Sequence, residues 1–465
     1  MKVVALDAGG ATLKASVLGR GSKCTPSILA NHVATMAGAS QAPVMYMGQK
    51  LQELERQRAK LRYLRPVQRG YCVNWNIESE LWTHLLSSQI LNVEVPSEYS
   101  LVVTSPLFAP AVVNESMDQV VFEELQFQSY ARVSAAETCV LSYSEHCERE
   151  YQKSRAETRT DVCGTSTFCK RAQQEMNGPG SPKMSFPVED EGQLRFSTSL
   201  CHLVVDSGFS FTHVLPVING RIYEPGVRRI NVGGKLLTNY FKEIVSFRQW
   251  NVMDDTPVIN ELKEALCYCS MEFDNDLKRY HADRRERKHW VLPDYVRTFE
   301  GRLRDDNEED DTIVADEEEL TKSNDDGQSV AAGDEEQVLE MGVEMVTVPE
   351  VLFNPSDIGI HQAGVAEAIT RAVEACPDEL SEAFYANILL VGGNTKFRNF
   401  RQRLERELRS LVSDDFDIYV HEPPDPILAA WQGCCSLVES NALSERIVSK
   451  QEYEEHGSNI CLKRF

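Results

Sequence analysis

The chain opens with two short apolar runs, and a turn that contains aspartate and glycine lies between them. Val3–Leu6 and Leu13–Leu18 are the runs, and Asp7–Gly10 lies between them. Apolar runs of about four to eight residues bounded by turn residues are typical of buried β-strands. We therefore predict two strands joined by a glycine-bearing turn at the start of the chain.

The same pattern returns in the second half of the chain. His202–Val205 leads into Asp206–Gly208, and the apolar run Phe211–Val217 follows. A further run, Asn387–Val391, leads into Gly392–Thr395. Each half of the chain thus contains one unit made of a strand, an Asp-x-Gly turn and a second strand. This repetition indicates a duplicated α/β domain.

The segments between these strands follow different patterns. Apolar positions at helical spacing predict long amphipathic helices over Val258–Lys278 and Asn399–Leu411. Leu51–Arg65 mixes charged and polar residues with leucines and is interpreted as an inserted short surface helix. Residues 144–198 are rich in Ser, Thr, Glu, Gly and Pro. That composition buries too little surface to offset the entropy of ordering, so we predict a flexible insertion.

A third insertion carries most of the charge. The 465 residues have a formal net charge of −23, and the tract 305–337 holds 15 Asp or Glu against one Lys, which is −14 of that total. The other 432 residues carry −9, and 42% apolar residues suffice for large cores, which excludes a wholly disordered chain. The acidity argues against generic DNA binding, because phosphate contacts need Lys and Arg, and favours basic partners such as histones.

The cysteine pattern and the N-terminus indicate a reducing compartment. None of the 13 cysteines forms a C-x-x-C pair, so we predict buried free thiols and not a disulfide or zinc framework. Asp7 and the glycines after it interrupt the first apolar run, which therefore does not resemble a secretory signal. No apolar stretch approaches about 18 residues, so we expect no membrane partner.

The two aspartate turns and the Gly392-Gly393 pair suit a nucleotide. Glycine lets backbone amides approach phosphate oxygens, and Asp carboxylates can hold Mg²⁺ through water. Gly392 and Gly393 would let the backbone lie against a base or ribose. An isolated Asp-x-Gly segment is also an ordinary β-turn, so the prediction rests on all three occurring in this order.

These segments together resemble actin and the actin-related proteins over the chain outside the three insertions. Leu6–Lys14 is similar to the first phosphate loop of that family, Val205–His213 to the second, and Leu390–Thr395 to the adenosine loop. Segments away from these turns that are also similar are Arg69–Trp75, Leu101–Thr104, Phe122–Glu124, Leu352–Ser356 and Lys450–Glu454.

The resemblance implies an α/β protein with the actin-like ATPase fold, in which two related lobes, each with a smaller subdomain, surround a nucleotide cleft. The implied parts are an outer-lobe core of 1–27, 69–143 and 429–465 (subdomain 1), subdomain 2 over 28–68, the flexible insertion 144–198, an inner-lobe core of 199–232 with 361–428 (subdomain 3), and subdomain 4 over 233–360, which contains the acidic insertion 305–337.

By the same resemblance, the expected cofactor is ATP or ADP with Mg²⁺. The residues that correspond to the family's nucleotide contacts are Asp7, Gly9, Gly10, Ala11, Thr12, Leu13, Lys14, Asp206, Ser207, Gly208, Gly234, Lys263, Glu264, Gly392, Gly393, Asn394, Lys396 and Phe397. We expect no protein side chain to ligate a metal directly.

Departures from the family pattern argue against hydrolysis. Where actins have the second aspartate and glycine of the second loop, this chain has Phe209 and Ser210. An aromatic ring cannot organise a metal ion. The family's water-positioning glutamine corresponds to Ala135, or to Ser134 after a one-residue shift, and Ile427 replaces a lysine of the adenosine region. We therefore expect nucleotide binding without catalytic residues.

Val227–Lys235, Asn251–Asp254 and Phe353–Gly359 are most similar to the nuclear actin-related protein 6 subfamily. This resemblance implies a non-catalytic scaffold and nucleosome-contacting subunit of a chromatin remodeller that exchanges a core nucleosomal histone for its Z variant. The implied partners are the remodeller's motor ATPase subunit, a zinc-HIT-domain subunit and histones. The implied location is the nucleus, with a cytoplasmic pool in addition.

Two other functions stay open at this stage. One is an ATPase or phosphotransferase of the same superfamily, against which Phe209 argues. The other is a cytoskeletal actin-like or filament-associated protein. Val44–Lys50 retains some of the actin filament-contact pattern but continues into Leu51–Arg65, and the insertion 144–198 adds bulk, so we expect no filaments.

Overall fold

Consecutive buried positions in each half of the chain build a six-stranded sheet. The computed structural model describes residues 2–19, 25–36, 44–56, 61–162, 196, 199–294, 298, 300–304, 336–440 and 442–465. The strands are β1 (Lys2–Ala8), β2 (Thr12–Leu18), β3 (Ser27–Ala30), β4 (Val33–Met36), β5 (Leu61–Leu64), β6 (Val67–Gln68), β7 (Tyr71–Cys72), β8 (Tyr99–Ser105), β9 (Ser129–Ser134), β10 (Cys201–Ser207), β11 (Thr212–Ile218), β12 (Arg221–Ile222), β13 (Arg228–Ile230), β14 (Lys288–Val291), β15 (Arg302–Leu303), β16 (Val338–Met341), β17 (Ile388–Val391), β18 (Val420–His421) and β19 (Val448–Ser449).

Helices cover these sheets and join them. They are α1 (Gly48–Arg56), α2 (Trp75–Leu86), α3 (Ala111–Gln119), α4 (Ala135–Val162), α5 (Gly234–Arg248), α6 (Thr256–Leu266), α7 (Phe273–Ala282), α8 (Glu344–Glu350), α9 (Val365–Val373), α10 (Ser381–Tyr385), α11 (Phe400–Leu411), α12 (Ala429–Glu439), α13 (Lys450–His456) and α14 (Ser458–Arg464). No helix in the described part of the chain is long and apolar enough to cross a membrane.

The two large sheets have the same central arrangement. The first has the strand order β19-β9-β8-β1-β2-β3, and the second has β12-β11-β10-β17-β18 with β13 beside β11. In the first, β1 pairs antiparallel with β2 and parallel with β8. In the second, β10 pairs antiparallel with β11 and parallel with β17. The predicted duplication and α/β class are confirmed. In each sheet the aspartate turn lies at the end of the two strands of its hairpin.

Helices α4 and α12 pack closely where the two lobes meet. A Cβ on Gly433 would lie 2.0 Å from the carbonyl oxygen of Thr138, so these helices touch through their backbones. Beside this contact, Trp431 donates a hydrogen bond from Nε1 to Ser16 Oγ at 3.1 Å. The buried ring of Trp431 therefore connects α12 to the first hairpin.

The predicted helix over Val258–Lys278 is wrong, because the structure has two helices, α6 and α7, with an extended segment between them. In that segment, Tyr268 N donates to Met345 O at 3.1 Å and Cys269 N donates to Arg398 O at 2.9 Å. Backbone pairing with distant segments thus replaces helical hydrogen bonds. The prediction for Asn399–Leu411 is confirmed to within one residue by α11.

The insertions are more ordered at their edges than predicted. Helix α4 continues to Val162, which contradicts a flexible loop from residue 144 onward. Cys147 is buried, and the pair Arg149–Glu145 at 3.1 Å supports the helix on its surface. Residues 163–195 and 197–198 lie outside the described residues, as does 305–335 of the acidic tract.

The segment Leu51–Arg65 is only partly the predicted helix. Helix α1 ends at Arg56, and Leu61–Leu64 is a strand that pairs with β4. The ten cysteines in the described part are buried thiols without a disulfide bond, as predicted, and Cys24, Cys163 and Cys169 lie outside it. The subdomain boundaries stay a prediction.

Candidate functional site

A large cleft of about 1690 Å³ lies between the two aspartate turns. Sixteen of the predicted contact residues line it together: Asp7, Gly9, Gly10, Ala11, Thr12, Lys14, Asp206, Gly208, Gly234, Lys263, Glu264, Gly392, Gly393, Asn394, Lys396 and Phe397. Leu13 and Ser207 are not on its wall. Leu13 belongs to the apolar core of the outer lobe, and the Ser207 hydroxyl is within 2.8 Å of Thr212 Oγ1.

The first turn is built around a buried ion pair. Lys14 Nζ lies 2.8 Å from Asp7 Oδ2, and both side chains are almost completely buried. Thr104 Oγ1 donates to Asp7 Oδ1 at 2.8 Å and accepts a hydrogen bond from Ala8 N at 2.9 Å. The carboxylate is thus fixed on both oxygens, which holds the lysine at the mouth of the turn.

Asn31 and glycine fix the backbone of the same turn. Asn31 N donates to Ala11 O at 2.8 Å, and Asn31 Nδ2 donates to Gly9 O at 2.9 Å. A Cβ on Gly9 would lie 2.8 Å from Thr12 O. The turn therefore needs glycine to leave room for its own backbone and for a phosphate group.

The second turn and the Gly392-Gly393 segment are tied together on the inner lobe. Gly392 has φ +93°, and a Cβ there would lie 2.3 Å from Ser207 O, so only glycine fits. Asn394 Nδ2 donates to Gly208 O at 2.8 Å. Gly393 faces open space, which suits close approach of a flat base or ribose.

Lys263 and Glu264 line the wall, but their side chains bind neighbouring residues. Lys263 Nζ donates to Thr238 Oγ1 and to Asn260 Oδ1, each at 2.9 Å. Glu264 Oε1 accepts from Asn260 Nδ2 at 2.7 Å. Burial lowers the pKa of Lys263. These residues shape the wall of the cleft as a small network.

The residues present fit a nucleotide with a divalent cation. Two glycine-bearing turns face each other, and a Cβ on Gly10 would lie 2.9 Å from Ser210 Oγ. Lys14 and backbone amides can hold phosphates, and Asp7 and Asp206 offer hard oxygen atoms to a hydrated Mg²⁺. When bound, the nucleotide would supply charge and contacts that join the two lobes.

Asp206 makes the free energy of unfolding of the protein depend on pH. Burial, followed by repulsion from Asp7, raises the pKa of Asp206 from 3.8 to about 6. The protonated carboxyl therefore contributes fully to the free energy of unfolding when the pH is below the pKa of Asp206 in the unfolded chain. This contribution is lost as the pH rises through about 6. We expect Asp206→Asn to raise the free energy of unfolding of the nucleotide-free protein by about 3 kcal/mol at pH 7.5 and by about half of that at pH 5.

Denaturant unfolding at the two pH values measures this effect. Glu264→Asn is a control, because Glu264 is an acidic residue on the wall that pairs with Asn260. We expect it to give no comparable gain at pH 7.5. A loss of stability for Asp206→Asn at pH 7.5 would mean that the ionised carboxylate stabilises the turn, contrary to this account.

The region where the family organises metal and water is apolar here. Phe209 lines the cleft beside Gly10, and Ala135 stands at the start of α4. A phenyl ring and a methyl group cannot ligate a metal ion or orient an attacking water. The arrangement can hold phosphates, but it lacks a side chain at these two positions that could activate water.

Contacts next to the second turn cross the cleft. The Phe211 ring packs on Gly70, where a Cβ would lie 1.8 Å from Phe211 Cε1. The Arg229 guanidinium lies 4.4 Å from the Phe211 ring centroid and donates from Nη2 to Arg69 O at 3.0 Å. The two lobes are therefore held together by packing as well as by α4 and α12.

Arg229→Ala is expected to loosen this crossing contact. It removes a cation–π contact and a hydrogen bond, which corresponds to about 1–2 kcal/mol in the free energy of unfolding. Amide hydrogen exchange over Arg69–Cys72 should become faster. The matched control is Arg228→Ala, because Arg228 bonds Pro225 O and Arg371 O within the inner lobe. Equal exchange over Arg69–Cys72 in the two variants would contradict the crossing role.

Sequence reasoning missed residues that act through other residues. Thr104 orients Asp7, Asn31 holds the first turn, and Asn260 orders Lys263. Thr104 lies at the end of an apolar strand that runs parallel to β1, and this position is a signal that could have identified it. Asn31 and Asn260 give no such signal, because lone asparagines are common in loops and on helix surfaces.

Comparison with known proteins finds one family over the full chain. The family model described as Actin matches residues 1–465. The chain is 33% identical to actin-related protein 6 of Arabidopsis thaliana, over 100% of this chain and 99% of that protein. It is 29% identical to actin-related protein 6 of Drosophila melanogaster, over 98% and 97%, and 32% identical to actin-like protein ARP6 of Cryptococcus neoformans, over 100% and 84%.

Proposed function

This chain belongs to the actin family, and we propose that it is a non-catalytic actin-related subunit of a chromatin-remodelling complex that replaces a core nucleosomal histone by its Z variant. In this role it acts as a scaffold and contacts the nucleosome. The proposal is supported by full-length similarity to proteins named actin-related protein 6. We further propose that it works in the nucleus, with a cytoplasmic pool in addition.

The main support for a role without ATP hydrolysis is Phe209 at the second turn. Its ring lies where a metal-organising carboxylate would be needed, beside the first turn at Gly10. Since Ala135 cannot orient water either, two separate requirements of phosphate-bond hydrolysis are unmet at these positions. Bound ATP or ADP would then stabilise the closed cleft, by RT ln(1 + [L]/Kd), instead of being turned over.

An exposed aromatic pair supports a binding role on the surface. Phe247 is 91% exposed and Trp250 is 51% exposed, at and just after the end of α5. Large exposed aromatic side chains are typical of protein–protein interfaces. Asp254 and Asp255 follow within the same loop, and their charge disfavours nucleic acid. We propose that a protein subunit of the remodeller, such as the zinc-HIT-domain subunit or the motor ATPase, covers this pair.

The acidic tract 305–337 is proposed to contact histones. Its net charge of −14 is complementary to basic histone tails. Deletion of the tract should lower histone affinity at low salt and have less effect at high salt, because exposed charges are screened. Unchanged affinity at low salt would remove the tract from the proposal.

Affinity purification from nuclear extract tests the function. We expect the tagged chain to recover a remodeller motor subunit, a zinc-HIT-domain protein and the Z-variant histone. The variant Phe247→Ser/Trp250→Ser should lose at least one of these subunits, whereas Leu411→Ser should not. Leu411 is a control because it is an exposed apolar residue at the end of α11. Recovery of cytoskeletal proteins alone would overturn the proposal.

A further inference from the structure

We infer that Arg65 is an additional anion-binding residue of the cleft, placed to contact the terminal phosphate of a nucleoside triphosphate. The cleft would then prefer a triphosphate to a diphosphate. This inference rests on the proposed nucleotide site, but it concerns a residue that the family motifs do not include.

Arg65 lies above the gap between the two turns. It lines the cleft just after β5, and its guanidinium carbon is 4.8 Å from the centroid of the Phe209 ring. A Cβ on Gly10 would lie 3.6 Å from Val67 Cγ1 and 3.7 Å from Phe209 Cδ1. The segment that carries Arg65 is therefore in contact with the first turn, and its side chain stacks on the second.

The guanidinium of Arg65 is a partly buried charge without a carboxylate. Among the described residues, none forms an ion pair or accepts a hydrogen bond from it, although its side chain is half-buried. Burial lowers the pKa of Arg65, and burial together with Arg65 lowers the pKa of His32 to about 4. Desolvating a cation without a partner is costly, and an incoming anion would offset that cost.

Two other cations of the cleft already have protein partners. Lys14 pairs with Asp7, and Lys263 donates to Thr238 and Asn260. Phe209 covers only a face of the Arg65 guanidinium. The N–H groups point outward from its edge, where they can donate to phosphate oxygens. A guanidinium is thus present beside the position where the family has a metal-organising aspartate.

The position of Arg65 would bring its guanidinium next to the terminal phosphate of a bound nucleotide. Gly234, Lys263 and Gly393 line the inner-lobe wall of the cleft, and the open space at Gly393 suits a base or ribose. The two turns would hold the inner phosphates, and Arg65 stands beyond them, over Phe209. A diphosphate would end at the turns, whereas a triphosphate would reach the guanidinium.

Binding of ATP and ADP, each with Mg²⁺, to Arg65→Gln measures the role of this residue by calorimetry. We expect ATP affinity to fall about tenfold or more, as for loss of a charge-assisted hydrogen bond, with ADP affinity little changed. Arg62→Gln is the matched control, since Arg62 is exposed on β5, the strand just before Arg65, and lies outside the cleft. It should change neither affinity, and Arg65→Lys should restore part of the preference for ATP.

Two outcomes would overturn the inference, and they differ from failure of the nucleotide site. Equal losses for ATP and ADP in Arg65→Gln would mean that Arg65 acts only by joining the lobes through Phe209. Unchanged affinities would mean that it has no role in binding. If the unaltered protein bound neither nucleotide, the proposed cofactor would itself be wrong, and the inference would fail with it.

Discussion

Lys14→Ala is expected to abolish nucleotide binding and to lower the free energy of unfolding by about 3–5 kcal/mol. The ammonium group lies 2.8 Å from Asp7 Oδ2 with both side chains almost completely buried. Its removal leaves a buried carboxylate that accepts a hydrogen bond from Thr104 alone among the side chains that the structure describes. Denaturant unfolding gives the stability, and titration with a fluorescent ATP analogue gives the binding.

A double variant separates the two effects of Lys14. Asp7→Asn/Lys14→Met removes both charges, so no unpaired charge stays buried and most of the lost stability should return. Nucleotide binding should not return, because the phosphate-facing cation is still absent. Full binding by the stable double variant would show that Lys14 serves only the fold, which contradicts the proposed site.

Gly433→Ala is expected to lower the free energy of unfolding by about 3 kcal/mol and to distort the cleft. A Cβ at this position would lie 2.0 Å from Thr138 O and 2.3 Å from Thr138 C, so α12 would have to move away from α4. In an open helix, glycine to alanine is instead stabilising by about 1 kcal/mol. The sign of the change therefore reports on the close contact between the helices.

Gly19→Ala is the control for this substitution. A Cβ on Gly19 would have no atom within 4 Å, so we expect a change of at most a few tenths of a kcal/mol, within the ordinary range for surface substitutions. Thermal and denaturant unfolding of both variants measure the difference. If Gly433→Ala were as stable as the unaltered protein, the tight packing between α4 and α12 would not exist.

The sequence predicted the parts of the fold that depend on local pattern. The strands around Asp7–Gly10 and Asp206–Gly208 are where apolar runs and turn residues indicated, because a hairpin is specified by neighbouring residues. The helix break at Cys267–Cys269 was missed, because those residues pair with Met345 and Arg398, far away in the chain. Average composition likewise concealed the continuation of α4 beyond residue 144.

The candidate site shows the same division. Motifs placed the glycines and aspartates of the turns, which lie within continuous segments. They did not place Arg65 on Phe209 or Arg229 on Arg69, because each contact joins residues from different lobes. Such side chains belong to no motif, and only the assembled fold brings them together.

The measurement that tests the account most directly follows labelled ATP bound to the purified protein with Mg²⁺. Lys14→Ala, prepared in the same way, controls for contaminating ATPases because it should not hold nucleotide. The account predicts that the nucleotide recovered from the unaltered protein is still ATP and that phosphate release does not exceed that of the variant. Steady release of phosphate by the unaltered protein, absent from Lys14→Ala, would contradict a cleft that binds nucleotide without turning it over.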